Sequence, residues 1–215
     1  QPRRSEVSRL RNIFQSFYRL VMDRVPHAFE LTSASASEPV TLTEAKAHLR
    51  VVGTDEDTYI TGLIAVAREK VEVDTERALI TQTRRLWIDD FPRGNGQVID
   101  IPLKPVSAVT LIEYWSTDEE WVEVDDADYV TDVVSAPGRI WPASGVIWPT
   151  IQAGRKHAVR ITLTCGAAAN SVPAAAKHAM KLLIGHWFEN REAVGKVPTE
   201  ISLGYEALIG SIKWH

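Results

Sequence analysis

An α+β fold is predicted by two changes of hydrophobic period along the 215 residues. Apolar residues recur at three- and four-residue steps up to about residue 78 and again from residue 173, whereas short alternating runs broken by Gly, Pro and Asp fill residues 81–165. The first pattern is that of amphipathic helices and the second that of strands joined by tight turns. The expected architecture is a helical portion, with helices near 41–50, 55–78 and 173–193, carrying a small antiparallel β-domain as an insert. Four regions follow: a basic amphipathic arm and linker (1–37), a helical core (38–80 plus 166–195), the β-rich insert (81–165) and a C-terminal docking tail (196–215).

In the arm, Leu10, Ile13, Phe14, Phe17, Leu20, Val21 and Val25 form one apolar stripe on a helix that Pro26 ends. Such a stripe must be buried on something, and two Phe in a narrow band favour a protein surface over a membrane. Phe14 and Phe17, with Arg11 and Arg19 beside them, are the candidate arm contacts. Residues 32–39 (Thr-Ser-Ala-Ser-Ala-Ser-Glu-Pro) read as a flexible linker.

Thr41-Leu42-Thr43-Glu44 fits a capping box, in which the Thr and Glu side chains each cover a free amide at a helix start. Gly53 breaks that helix, and Thr54-Asp55-Glu56-Asp57 offers a second cap with acids at the positive end of the dipole. Ile60, Leu63, Ile64, Ala67 and Val71 then give a long stripe. Strands are expected at 81–91, 98–103, 106–115, 121–124, 129–134, 139–141 and 158–165, in a small sandwich or barrel. Five of the seven Trp (87, 115, 121, 141 and 148) fall in this segment, where core filling is their expected role. Pro173 suits a first helical turn, Ala176, Met180, Leu183, Ile184, Trp187 and Phe188 supply the last stripe, and Gly195 and Pro198 stop it.

At 45% apolar and 24% charged, the composition is that of a globular protein. No stretch approaches the roughly 18 uninterrupted apolar residues of a membrane span. Residues 13–25 are interrupted by Arg19, Asp23 and Arg24 and lack a signal-peptide cleavage site. The chain reads as soluble. Net charge is −4, yet residues 1–30 hold six Arg against Glu6, Asp23 and Glu30, so the arm carries +3 and the remainder −7. A mildly acidic body disfavours tight non-specific DNA binding.

Nothing in the sequence assembles a catalytic or metal site. Cys165 is the single cysteine and sits in an apolar run, the setting of a buried inert thiol, so no intrachain disulfide forms. His178 and His186 are eight residues apart on one helix, about 80° apart around it, with Glu189 a turn beyond, and no His-Glu-x-x-His pattern joins them. Asp125-Asp126-x-Asp128 lacks the Gly and closing Glu of a calcium loop, and Gly94-Asn95-Gly96 reads as a hairpin tip rather than a phosphate loop. No nucleophile, base and orienting group occur together. The reading is therefore of a protein that is not an enzyme and uses no cofactor.

Five segments stand out: Glu38-Pro39-Val40-Thr41-Leu42-Thr43-Glu44-Ala45-Lys46-Ala47-His48-Leu49-Arg50, the Arg77-Ala78-Leu79-Ile80-Thr81-Gln82-Thr83 junction, the Pro102-Leu103-Lys104-Pro105-Val106-Ser107-Ala108-Val109 link, Pro137-Gly138-Arg139-Ile140, and His186-Trp187-Phe188-Glu189-Asn190-Arg191-Glu192-Ala193-Val194. Each resembles its counterpart in the tailed-phage head–tail connector (adaptor, head-completion) family. Together they span about residues 38–210 in order. The arm departs from the family by its length and basic charge.

The resemblance implies a structural subunit of a ring, usually twelvefold, stacked beneath the portal in the neck of a virion or phage-like particle made in the bacterial cytoplasm. DNA passes through its hole without sequence-specific contact, and a head-completion or tail protein meets the opposite face. On that basis Leu203, Tyr205, Ile209 and Trp214 are the candidate portal-docking residues. Trp187, Phe188, Asn190 and Arg191 are the candidates for packing between subunits, Trp187 and Phe188 being equally explicable as core. The competing reading is a nucleic-acid-binding module that uses the Arg-rich arm.

Overall fold

A computed structural model describes residues 27–35, 37–94, 97–135, 137–191 and 199–212. Four helices lie among them: α1 (Leu42–Leu49), α2 (Asp57–Thr75), α3 (Ala174–Glu189) and α4 (Thr199–Ile212). Eight strands form two antiparallel sheets, so the fold is α+β as expected.

The capping box forms: Glu44 N–H donates to Thr41 Oγ1 at 3.2 Å, and Thr41 N–H donates to the Glu44 carboxylate at 2.8 Å. These bonds hold Glu44 below the usual carboxylate range, the Thr41 amide being the largest cause. The second cap does not form as read. Glu56 sits at the start of α2 with no side-chain cap, and Asp57 instead pairs with Lys46 of α1 at 2.5 Å. The acids at this turn therefore tie the two helices together. Ile60, Ile64, Ala67 and Val71 of α2 meet Ala176, Ala179, Met180 and Ile184 of α3, all buried. Alanines at both faces let the two helices pack closely, and Tyr205 and Ile209 of α4 close the cluster.

The larger sheet runs in the order β1-β2-β8-β4-β5, comprising β1 (His27–Ser33), β2 (Gln82–Ile88), β8 (Val159–Cys165), β4 (Val106–Trp115) and β5 (Trp121–Glu123). The smaller has the order β3-β7-β6, from β3 (Ile99–Ile101), β7 (Gly138–Pro142) and β6 (Tyr129–Asp132). Central strand β8 sends Val159, Ile161, Leu163 and Cys165 into a core shared with Ile99, Ile101 and Ile140 of the smaller sheet. Burial pushes the Cys165 thiol up to about 11, as befits an inert core cysteine. Two irregularities in β4 leave Ser107 and Thr110 out of register, and their hydroxyls donate to the Thr164 and Thr162 carbonyls at 3.0 Å each.

Three sequence expectations need correction. No strand was expected between the arm helix and the linker at 32–39, yet β1 occupies His27–Ser33 and pairs with β2. Its stability comes from that distant partner, and its composition carries no strong strand signal. Of the five Trp assigned to the β-core only Trp148 is buried, stacked on Phe91 with centroids 4.7 Å apart. Trp87, Trp115 and Trp121 are half-buried on the outer face of the larger sheet. Finally, the C-terminal tail is helical over Thr199–Ile212.

The helical and β layers meet where residues 77–81, 104–105 and 166–167 cross. Ala78 N–H donates to the Lys104 carbonyl at 2.7 Å, and Thr81 N–H donates to that of Ala167 at 3.0 Å. Gly166 has φ +87, and a Cβ there would lie 2.0 Å from the Ile80 carbonyl oxygen. Only glycine fits. Beside this crossing, the buried Glu72 carboxylate of α2 accepts from Leu79 N–H at 2.8 Å, from Gln82 Nε2 at 3.0 Å and from Arg68 Nη1 at 3.0 Å. Arg68 also donates to Glu38 at 2.9 Å. Burial alone would lower the Arg68 pKa, but Glu38 and Glu72 outweigh it and raise it. Removing one partner of such a network strands the others, so Glu72→Ala is expected to cost about 3–5 kcal/mol in urea unfolding. Glu72→Gln, which keeps an acceptor for Leu79 N–H, should lose less.

Candidate assembly surfaces

Two stretches of surface stand out, and one of them carries the site residues singled out in the sequence. The first belongs to the helical layer. On α4 the apolar residues divide between faces. Tyr205 and Ile209 point inward and are buried, with Tyr205 Oη donating to Asp74 of α2 at 2.7 Å. Burial, then the Asp74 hydrogen bond and charge, raise the Tyr205 pKa well above its ordinary value. Leu203 lies on the other side and is 63% exposed, and Ala207 and Gly210 follow it at helical spacing, also exposed. Trp214 lies outside the described residues. At the end of α4 the Ile212 carbonyl accepts from Arg77 at 3.3 Å, tying the helix to the layer crossing.

The last turn of α3 is also divided. Trp187 and Phe188 are half-buried against the chain's own helical core. The Trp187 carbonyl accepts from Tyr59 Oη at 3.2 Å, and Phe188 lies 6.1 Å from the Tyr59 ring. Arg191 is exposed, pairs with Glu56 at 2.8 Å and sits over the Tyr59 and Phe188 rings at 4.7 and 5.1 Å. Glu56 is the largest reason that the Arg191 pKa is raised. Asn190 is exposed and folds back on the His186 carbonyl at 2.9 Å. Farther along α3, His48 of α1 rests against Gly185. Burial and then the nearby His178 and Lys181 lower its pKa. Among the described residues no three His, Cys, Asp or Glu could hold a metal ion, and no helix is long and apolar enough to cross a membrane.

The second surface, which the sequence did not reveal, is the outer face of the larger sheet. One row across it reads Ala28, Trp87, Arg160, Glu113, Glu123, with Trp115 opposite Trp121 above. Trp121 meets Trp87 and Trp115 edge-on at 5.9 and 5.3 Å. Arg160 lies 4.1 Å over Trp121 while gripping Glu113 with two bonds of 2.6 and 2.5 Å, and Arg155 covers Trp115 at 3.7 Å. The indole N–H groups of Trp87 and Trp115 donate to Glu30 and Gln152. Alternation of the strands would have shown which Trp point outward, had the register been known in advance.

Comparison with known proteins places the helical pair and most of the β-domain. Residues 39–134 match the family model of phage gp6-like head-tail connector proteins. The matched region is a little under half of the chain, and over it the chain is similar to phage gp6-like head–tail connectors. The match begins at the Pro39 that precedes the observed capping box. Solved structures extend the likeness beyond the family region. A protein in the neck of an empty gene transfer agent (GTA) particle, computed with C6 symmetry, is 25% identical with a TM-score of 0.70, covering 86% of this chain and 95% of that chain. Proteins from the virion of the native GTA particle and from its neck computed with C12 symmetry are 23% and 24% identical, with TM-scores of 0.69 and 0.62. Each of these covers 86% of this chain and 94% of its own and shares the fold. No curated protein sequence matches.

The division of α4 separates stability from assembly. Ile209→Ala is expected to cost about 2–5 kcal/mol in chemical unfolding, as for a buried aliphatic cut to Ala. Leu203→Asp should leave stability within about 0.5 kcal/mol, the usual range for an exposed site.

Proposed function

We propose that this chain is a head–tail connector subunit that forms a ring in the neck of a tailed phage or phage-like particle. The ring, of twelve copies in the particle, stacks below the portal, lets DNA pass through its hole and presents its other face to a tail-side protein. The observation that carries this reading is the agreement in fold with the GTA neck protein over nearly the whole of both chains. Neck structures of that particle have been computed with C6 and with C12 symmetry, which favours a cyclic assembly whose copies are multiples of six. A ring needs contacts between two different patches on each subunit.

In this reading the outer face of α4, led by Leu203, meets the portal together with Trp214, while Tyr205 and Ile209 hold the helix in place from behind. The Arg191–Glu56 pair, with Asn190 beside it, borders the contact between neighbouring copies, and Trp187 and Phe188 support it from the core side. DNA slides past a body whose charge is net negative.

Electron microscopy of the protein mixed with the portal ring from the same genome tests this directly. An added ring of density at one end of the portal, with its copy number countable, is the expected result. Bare portals at high concentrations of folded protein would overturn the reading. Leu203→Asp should weaken the added density without loss of fold.

A further inference from the structure

The N-terminal arm has an apolar stripe in need of a surface, and the outer face of the larger sheet is a surface in need of a cover. None of that face's residues belongs to either hydrophobic core. Trp87, Trp115 and Trp121 nevertheless lie on it half-buried, at the end of the sheet where the chain enters at His27. We propose that residues 1–26 of the same chain pack across this face, with the stripe of Leu10, Phe14, Phe17 and Val21 turned onto the tryptophans.

Length, direction and charge support this occupant. The arm joins the sheet at β1, one edge, and β5 is the other edge. Four inter-strand spacings separate the edges, about 19 Å. A helix over residues 10–25 is about 24 Å long, enough to cross the face from β1 to β5. Such a crossing would bring Arg3, Arg4, Arg9 and Arg11 to the β5 side. That edge is acidic: between Asp118 and Asp128 there are seven carboxylates and no Lys or Arg. All seven are exposed. The order of charge along the arm thus matches the order of charge across the sheet. This assignment is independent of what the protein assembles with.

At the middle of the crossing, Phe17 falls over β8, whose outward Thr162 lies between Arg85 of β2 and Leu111 of β4. The test is a cysteine pair in the full chain, Phe17→Cys with Thr162→Cys, oxidised at low protein concentration. A disulfide within one chain is expected. Gln15→Cys with Thr162→Cys, about 160° away around the helix, should not cross-link. Native Cys165 points into the core and does not interfere. No cross-link, equal cross-linking from position 15, or a link only between chains would each overturn the proposal, the last by assigning the arm to a neighbouring copy. As a second readout without new cysteines, Phe14→Asp with Phe17→Asp should increase acrylamide quenching of the tryptophan emission, and unchanged quenching would count against the cover.

Discussion

The structure depends on one buried carboxylate. Glu72 sits in the last turns of α2, where the helical layer ends, and its oxygens are spent on the chain that leaves for the β-domain: the Leu79 amide and the Gln82 side chain. A buried charge is tolerable only when it is paired and its lone pairs are filled. Arg68 supplies the pairing and carries the connection back to Glu38, just before α1. One cluster therefore ties the chain entering the helical layer, the body of its longest helix and the first strand of the β-domain. Gly166 completes the joint from the other side, since the chain returning from β8 must pass against the Ile80 backbone. The β-domain is an insert in sequence, yet the joint fixes it to the helices on both its outgoing and returning strands.

What the sequence made legible follows from the range of the interactions involved. The capping box at Thr41 and the stripes of α2 and α3 are set within a few residues, and the periodic pattern states them openly. Each strand from β2 to β8 overlaps the segment read for it, because turns punctuate the β-domain at short intervals. Strand β1 was missed because the strand it pairs with, β2, is fifty or more residues away. The outward turn of Trp87, Trp115 and Trp121 was equally hidden. Tryptophan is read as core by default, and a single residue of register decides which face it takes.

The surfaces were legible in composition but not in division. The resemblance marked Tyr205, Ile209 and Leu203 together, and the sequence gives all three the same apolar character. The helix separates them: residues 205 and 209 share a face at i, i+4, while 203 lies about 200° from 205. Likewise the Trp187–Arg191 run contains side chains that face the core and side chains that face solvent. Aromatic rings of the first kind are what Arg191 rests on as it reaches Glu56.

That division matters for the proposed docking. Docking loses affinity to the ordering of whatever must be held still at the contact. Here α4 is already held by the Tyr205–Asp74 bond, by Ile209 in the core and by the Arg77 contact to its last described carbonyl. Its outer face is presented on a rigid helix, and the groups that make it rigid are not the groups it presents. Arg77 also stands next to the Ala78–Lys104 bond at the layer crossing. Helix α4 is thus anchored at the same joint that fixes the β-domain, so a shift of one layer against the other would be felt at the face proposed for docking.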